Sequence, residues 1–317
     1  MLKATPVNCI FIYMFDLTAI TRRVVTQSTV AILFSLALGG CANHFGRDIT
    51  EFDVVPPISL VQQVDDLIAA IKQAQALPLS STLVVFDIDD TLLTATAFFG
   101  SDKWYDWQRG RALSPKGEVL VTLAEDQVNC LFDTLGIAFE IGVNQPTQGD
   151  MAQLVSGVEN DVVILTARSD AYRAATMREL GRNQLDFTAQ ALTPPEMAYY
   201  YAFTHDGRTA EVSYANGVFM VKGMDKGVML LDLLQRTGRK YDAVIFVDDK
   251  THNITNMADA LKSAAIDFYG FHYTRVDKTV TETEVAQAQA TAKALKVLLH
   301  EHFPQRAGLI EKKQCAY

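Results

Sequence analysis

Cysteine and histidine are both scarce in this chain of 317 residues, which has four Cys and six His and no spacing between them typical of zinc ligands. A zinc-stapled fold and a disulfide-dense scaffold are therefore excluded. Basic residues are short as well, 28 Lys and Arg against 37 Asp and Glu, for a formal net charge of −9. They form no cluster, so a nucleic-acid surface is excluded too. Long apolar runs are missing: the stretch Val30 to Leu38 is too short for a comfortable membrane span. What the chain has is hydrophobic residues, 49% of the total, with aromatics at 9%. That composition excludes disorder and provides a sizeable core.

The first forty residues read as an address. Arg22 and Arg23 precede the apolar run, and "LGGC" at Leu38 to Cys41 resembles a bacterial lipobox, with Met14 as an alternative start. By that resemblance residues 1–40 are a signal peptide and the chain meets a membrane through lipidated Cys41. The tether 41–57 then leads to a folded body at 58–317, anchored in the periplasm with the outer membrane favoured, or secreted. An uncleaved anchor would leave the body outside the inner membrane as well. With Cys41 lipidated and Cys9 upstream of Met14, Cys130 and Cys315 remain, either paired in an oxidising compartment or free.

From Ile58 apolar residues recur at Leu60, Val61, Val64, Leu67, Ile68 and Ile71, a period that predicts one helix ending near Pro78. Three short apolar runs follow, each closing on polar residues: "LVVFD" (Leu83 to Asp87), "VVILT" (Val162 to Thr166) and "AVIFVDD" (Ala243 to Asp249). Runs apolar on both faces belong in a parallel sheet covered by helices, and helical patterns follow the second and third. The predicted fold class is α/β, a three-layer αβα Rossmann-like sandwich. "IDFYGFHYT" (Ile266 to Thr274) predicts a further strand, and the segment after Val280 a helix capped by Thr281 or Thr283. The gap between Thr91 and the second run is too long for a loop and predicts a small, mainly helical cap at about 96–155. Asn216-Gly217, between apolar runs, predicts a hairpin.

In open α/β sheets ligands bind at the carboxyl ends of strands. All three runs deliver polar residues there, so Asp87, Asp89, Thr166, Asp248 and Asp249 converge on one crevice. Carboxylates crowded in a partly dry cleft call for a cation, and an all-oxygen ligand set favours a hard ion such as Mg²⁺. With it, Asp87 suits a nucleophile and Asp89, two residues on, a general acid and base. A lysine is needed to offset charge, which Lys226 supplies at a helix start, with Lys222 as the alternative.

These residues resemble the haloacid dehalogenase (HAD) superfamily of phosphotransferases. "DIDDT" (Asp87 to Thr91) is similar to its first motif, "ILTAR" (Ile164 to Arg168) to its second, Lys226 to its third and "FVDDKTHN" (Phe246 to Asn253) to its fourth. The resemblance implies a HAD core with the cap inserted after the first motif, and a phosphatase that forms an aspartyl-phosphate on Asp87. Asp89 would act as acid and base and Thr166 would bind phosphate. The Mg²⁺ ligands would be Asp87, the Asp89 carbonyl, and Asp248 or Asp249. The fourth motif carries Asp248 where Gly is usual, which leaves the direct ligand of that pair open. "GSDKWYDWQ" (Gly100 to Gln108) resembles a bacterial branch catalogued as a domain of unknown function.

The expected substrate is a phosphorylated small molecule or a phosphopeptide. A phosphotransferase of the same fold and a non-catalytic binding protein are the alternative readings. Phe98, Phe99, Trp104, Tyr105 and Trp107 are expected to pack the cap, with a pocket wall as their second reading. Arg109 and Arg111 read as solvated surface, and Arg168 as a helix cap or a phosphate contact.

Overall fold

The computed structural model describes residues 56–317, so the signal, the lipobox-like segment with Cys41 and most of the tether lie outside the described residues. In chain order the strands and helices are β1 (Ser59–Val64), α1 (Ile68–Ala76), β2 (Thr82–Phe86), β3 (Leu93–Ala95), α2 (Asp102–Gln108), α3 (Leu131–Ile141), β4 (Asn144–Pro146) and α4 (Met151–Ser156). There follow β5 (Asp161–Thr166), α5 (Arg173–Arg182), β6 (Tyr199–His205), β7 (Arg208–Ala215), β8 (Val218–Met220) and α6 (Lys226–Thr237). The chain closes with β9 (Ala243–Asp248), α7 (Thr251–Ser263), β10 (Asp267–Tyr273), α8 (Glu282–His302) and α9 (Pro304–Glu311). No described helix is long and apolar enough to cross a membrane.

One eight-stranded sheet runs β1-β10-β9-β2-β5-β8-β7-β6. It is parallel from β1 to β8, and its far edge turns antiparallel through the β6–β7 and β7–β8 hairpins. The three apolar runs are the neighbours β9, β2 and β5, and every residue of β2 and β9 is buried. Burial on both faces is why these runs lack alternation. One face packs on α1, α4 and α5 through residues such as Ile71, Met151 and Leu180, the other on α6 and α7 through Met229, Leu233 and Met257. The fold is thus the expected α/β sandwich. Asn216 and Gly217 both take positive φ (50° and 78°) in the β7–β8 turn, as a tight hairpin requires.

The single helix expected from Ile58 to Pro78 is corrected. Residues 59–64 form β1, an edge strand paired only with β10, and the helix starts at Ile68. Five of the six β1 residues are exposed, so no inward-facing alternation marks the strand.

β3 and β4 pair as a short antiparallel ribbon that brackets residues 96–143, which hold α2 and α3. α4 lies outside the ribbon and contributes Met151 and Val155 to the sandwich core. Trp104, Trp107 and Leu135 form a separate cluster with Val280 and Ala288, so the segment after β10 folds back to complete it. Thr281 caps α8 in a capping box with Glu284. Cys130 and Cys315 are bonded to each other.

Lys226 enters the site because α6 packs tightly on α7. A Cβ on Gly227 would stand 2.7 Å from both the Asn256 carbonyl oxygen and Ala260 Cβ, and 3.0 Å from Met257 Cα. Gly227→Ala is expected to cost about 1–3 kcal/mol by overpacking this contact, measured by urea unfolding against wild type.

Candidate active site

β2 ends by pairing with β9, where the Asp87 N–H donates to the Val247 carbonyl at 3.0 Å. This sets the Asp87 side chain beside Asp248 at the carboxyl edge of the sheet, where parallel strands leave a crevice. Asp87, Thr166, Lys226, Asp248 and Asp249 are all buried there. Asp225 caps α6 by accepting from the Val228 N–H, and Lys226 is the first residue of the helix. The Lys226 ammonium donates at 2.6 Å to Asp87 Oδ1 and at 2.6 Å to Asp248 Oδ2. Lys222, the alternative, instead stands at φ 49° on the wall of a neighbouring cavity.

One carboxylate oxygen from each of Asp87, Asp248 and Asp249 lies within 4.8 Å of the others. Their surroundings differ. Asp248 is saturated: Lys226 donates to Oδ2, the Lys250 N–H to Oδ1 at 2.8 Å, and the Asn253 amide to both oxygens. Asp249 Oδ2 is buried, and Lys278 Nζ forms an ion pair with it at 2.5 Å. Burial raises Asp249 well above the usual carboxylate range against the pull of Lys278.

Burial pushes Asp87 up to about 7, against Lys226 and reinforced by Asp248 and Asp89. Lys226 moves up despite burial, because Asp248 and Asp87 flank it, and it stays charged. Asp87 and Asp248 share the Lys226 ammonium, while Asp249 shares Lys278 with Asp90 and Asp102. Three buried carboxylates this close together, each sharing its lysine with another acid, fit a hard divalent cation held by oxygen ligands.

Asp89 is turned away from this group. Arg168 grips its carboxylate with two donors, Nε to Oδ2 at 2.9 Å and Nη2 to Oδ1 at 2.7 Å. The guanidinium also donates to Thr176 and lies 4.2 Å from the Phe139 ring centroid. Arg168 is thus neither a helix cap nor a free phosphate ligand; it fixes Asp89. The Asp89 carboxylate stands apart from the three clustered acids, which leaves the carbonyl as its expected ligand atom. Thr166 is fully buried at the end of β5, its hydroxyl accepting from the Arg168 N–H at 3.2 Å.

A second tier was not legible in the sequence. Lys278 pairs with Asp90, Asp102 and Asp249, and Lys250 with Asp102 and Asp106, so the two lysines tie α2 to the ends of β2 and β9. Asp90 is held at φ 58°, and Thr94 donates to it at 2.6 Å. Despite burial, Lys278 and Lys250 keep Asp102 below the usual carboxylate range. Lys278 is 188 residues from Asp90, and no local pattern announces such a partner. Trp104 and Trp107 are buried in the second cluster, as expected of packing residues, whereas Tyr105 lines the cavity beside Asp89. Arg109 and Arg111 are exposed.

The raised Asp87 makes stability depend on pH. Between about pH 4 and 7 the folded chain holds a proton at Asp87 that the unfolded chain has lost, so stability falls as pH rises across that window and levels off above it. In chelator, wild type is expected to lose on the order of a few kcal/mol more than Asp87→Asn between pH 4.5 and 8 by denaturant unfolding, and Mg²⁺ to restore stability at pH 8.

Comparison with known proteins adds a family and a distant structural likeness. Among curated proteins none matches the chain. A solved structure titled "Phospho-Aspartyl Intermediate Analogue of Phosphoserine phosphatase" aligns over 62% of this chain and 95% of its own, at 13% identity and a TM-score of 0.31. Likeness at that level transfers neither activity nor residue roles. The family model described as "Protein of unknown function (DUF2608)" matches residues 60–305, most of the chain. The chain therefore belongs to the DUF2608 family, whose function its description leaves open.

Proposed function

We propose that the protein is a divalent-metal-dependent phosphomonoester hydrolase with Asp87 as its nucleophile. One observation carries this reading: Asp87 is buried at the end of a central strand, bonded to Lys226, and grouped with Asp248 and Asp249 within 4.8 Å.

Asp87, Asp249 and the Asp89 carbonyl would hold the cation, Mg²⁺ by its preference for oxygen, with Asp248 orienting Lys226 and Asn253. The bound cation would neutralise phosphate charge and keep Asp87 ionised at neutral pH. Asp87 then attacks phosphorus in line, forming a bond to the phosphoryl group as the ester oxygen departs. Lys226 stabilises the charge gathering on the phosphoryl oxygens, and the Thr166 hydroxyl donates to one of them. Asp89 protonates the departing oxygen and later takes a proton from the water that cleaves the aspartyl-phosphate. The two donors of Arg168 fix the orientation of the Asp89 carboxyl group for both halves.

The lipobox-like segment supports an anchored protein outside the inner membrane. The Cys130–Cys315 bond agrees, since disulfides persist in oxidising compartments.

The test is hydrolysis of a generic aryl phosphate by purified protein with and without Mg²⁺. Turnover should require the metal and vanish in Asp87→Asn. Lys226→Ala should lower kcat by roughly 10²–10³, the usual cost of removing one electrostatic stabiliser. Equal rates in wild type and Asp87→Asn would reject the reading.

A further inference from the structure

A cavity of about 300 Å³ opens beside Asp89 and Arg168 and runs out between the α2–α3 segment and the ends of β5 and β8. We propose that it receives the leaving-group half of the substrate and that the group it takes is a single aromatic ring, so that the substrate is a small aryl or arylmethyl phosphate. This rests on the phosphatase reading and goes further by naming the class of ester.

The location follows from Asp89. The residue that protonates the ester oxygen must touch the first atom of the leaving group, and Asp89 is part of the cavity wall. Whatever the oxygen carries therefore enters this space. Its volume is ample for one ring with substituents.

The chemistry follows from the aromatic side chains of a wall that Arg208, Lys222 and Asp102 also line. Tyr105, Phe132, Phe139, Tyr172 and Tyr317 all face the cavity. They form two ring groups, Tyr105 with Phe132 at 6.4 Å between centroids, and Phe139, Tyr172 and Tyr317 with successive centroids 5.0 Å and 5.9 Å apart. The last pair meets edge to face at 73°. The Tyr172 hydroxyl donates to the Phe132 carbonyl at 2.7 Å, which fixes its ring. A ring entering this frame gains offset and edge contacts that an aliphatic group of equal size does not.

Tyr317 strengthens the argument because the chain spends several interactions to keep an exposed ring in place. Tyr317 is 54% exposed, yet its backbone is tethered. The Ala316 and Tyr317 N–H groups donate to the buried Asp133 carboxylate at 3.1 Å, Arg306 pairs with the same carboxylate, and Cys315 is bonded to Cys130. Gly136 leaves room for both rings, since a Cβ there would stand 3.2 Å from the Tyr172 ring and 3.7 Å from that of Tyr317. An apolar ring held at a cavity mouth without being buried has its open face available to a ligand.

The test uses non-hydrolysable probes, so binding is read apart from turnover. With Mg²⁺ present, the Kd of benzylphosphonate is compared with that of methylphosphonate by calorimetry on the full chain, for wild type, Tyr317→Ala, Tyr317→Phe and Cys315→Ser. Benzylphosphonate should bind at least about tenfold more tightly in wild type, as burial of a ring against aromatic walls implies. Tyr317→Ala should cut that ratio about three- to tenfold, Cys315→Ser should lower it by releasing the tether, and Tyr317→Phe should keep it. A ratio near one in wild type, or one unmoved by Tyr317→Ala, overturns the pocket while ester turnover leaves the phosphatase reading standing. Failure of both probes to bind, with no turnover of any phosphate ester, overturns both.

Discussion

The site is organised around one buried ammonium. Lys226 lies between Asp87 and Asp248, 2.6 Å from each, and both acids are almost fully removed from water. Charges so placed interact strongly but are costly to desolvate, and the balance holds only while each keeps its partners. Asp248 meets that condition with donors on both oxygens, whereas Asp249 depends on Lys278, which also pairs with Asp90 and Asp102. In the proposed function a divalent cation would supply the further positive charge that these crowded acids can hold.

Around that centre the fold acts as a positioning device. Parallel pairing of β2 with both β5 and β9 brings Asp87, Thr166 and Asp248 to one level, and close packing at Gly227 seats the helix that carries Lys226. Arg168 and the Phe139 ring fix Asp89, while Lys250 and Lys278 connect α2 to the same edge. Three layers of interaction thus converge on a few side chains. In the proposed reaction the inner layer would carry the chemistry and the next would aim it, while the outer one joins the aromatic cavity wall to the sheet.

How much of this was legible in the sequence depended on how local each signal was. The runs Leu83 to Asp87, Val162 to Thr166 and Ala243 to Asp249 announced themselves because strands buried on both faces are apolar throughout. Their polar ends then located the crevice, and the run after Lys226 placed that lysine at a helix start. β1 was misread because its apolar residues continue the spacing of α1, and an edge strand with exposed side chains imposes no alternation. The pairing of Cys130 with Cys315 stayed open for want of any local constraint. Lys278, Asp102 and the grip of Arg168 on Asp89 were invisible for a related reason. These partners lie from 79 to 188 residues apart, and only the folded chain brings them together.

In the proposed reaction everything turns on Asp87 accepting the phosphoryl group. Its most direct test is mass spectrometry of wild-type protein quenched in acid during turnover of a phosphate ester. One added phosphoryl group is expected on the peptide that contains Asp87, removed by hydroxylamine as an acyl phosphate would be. Turnover with the label on another residue, or with no acyl phosphate in a quench fast enough to trap one, would contradict it.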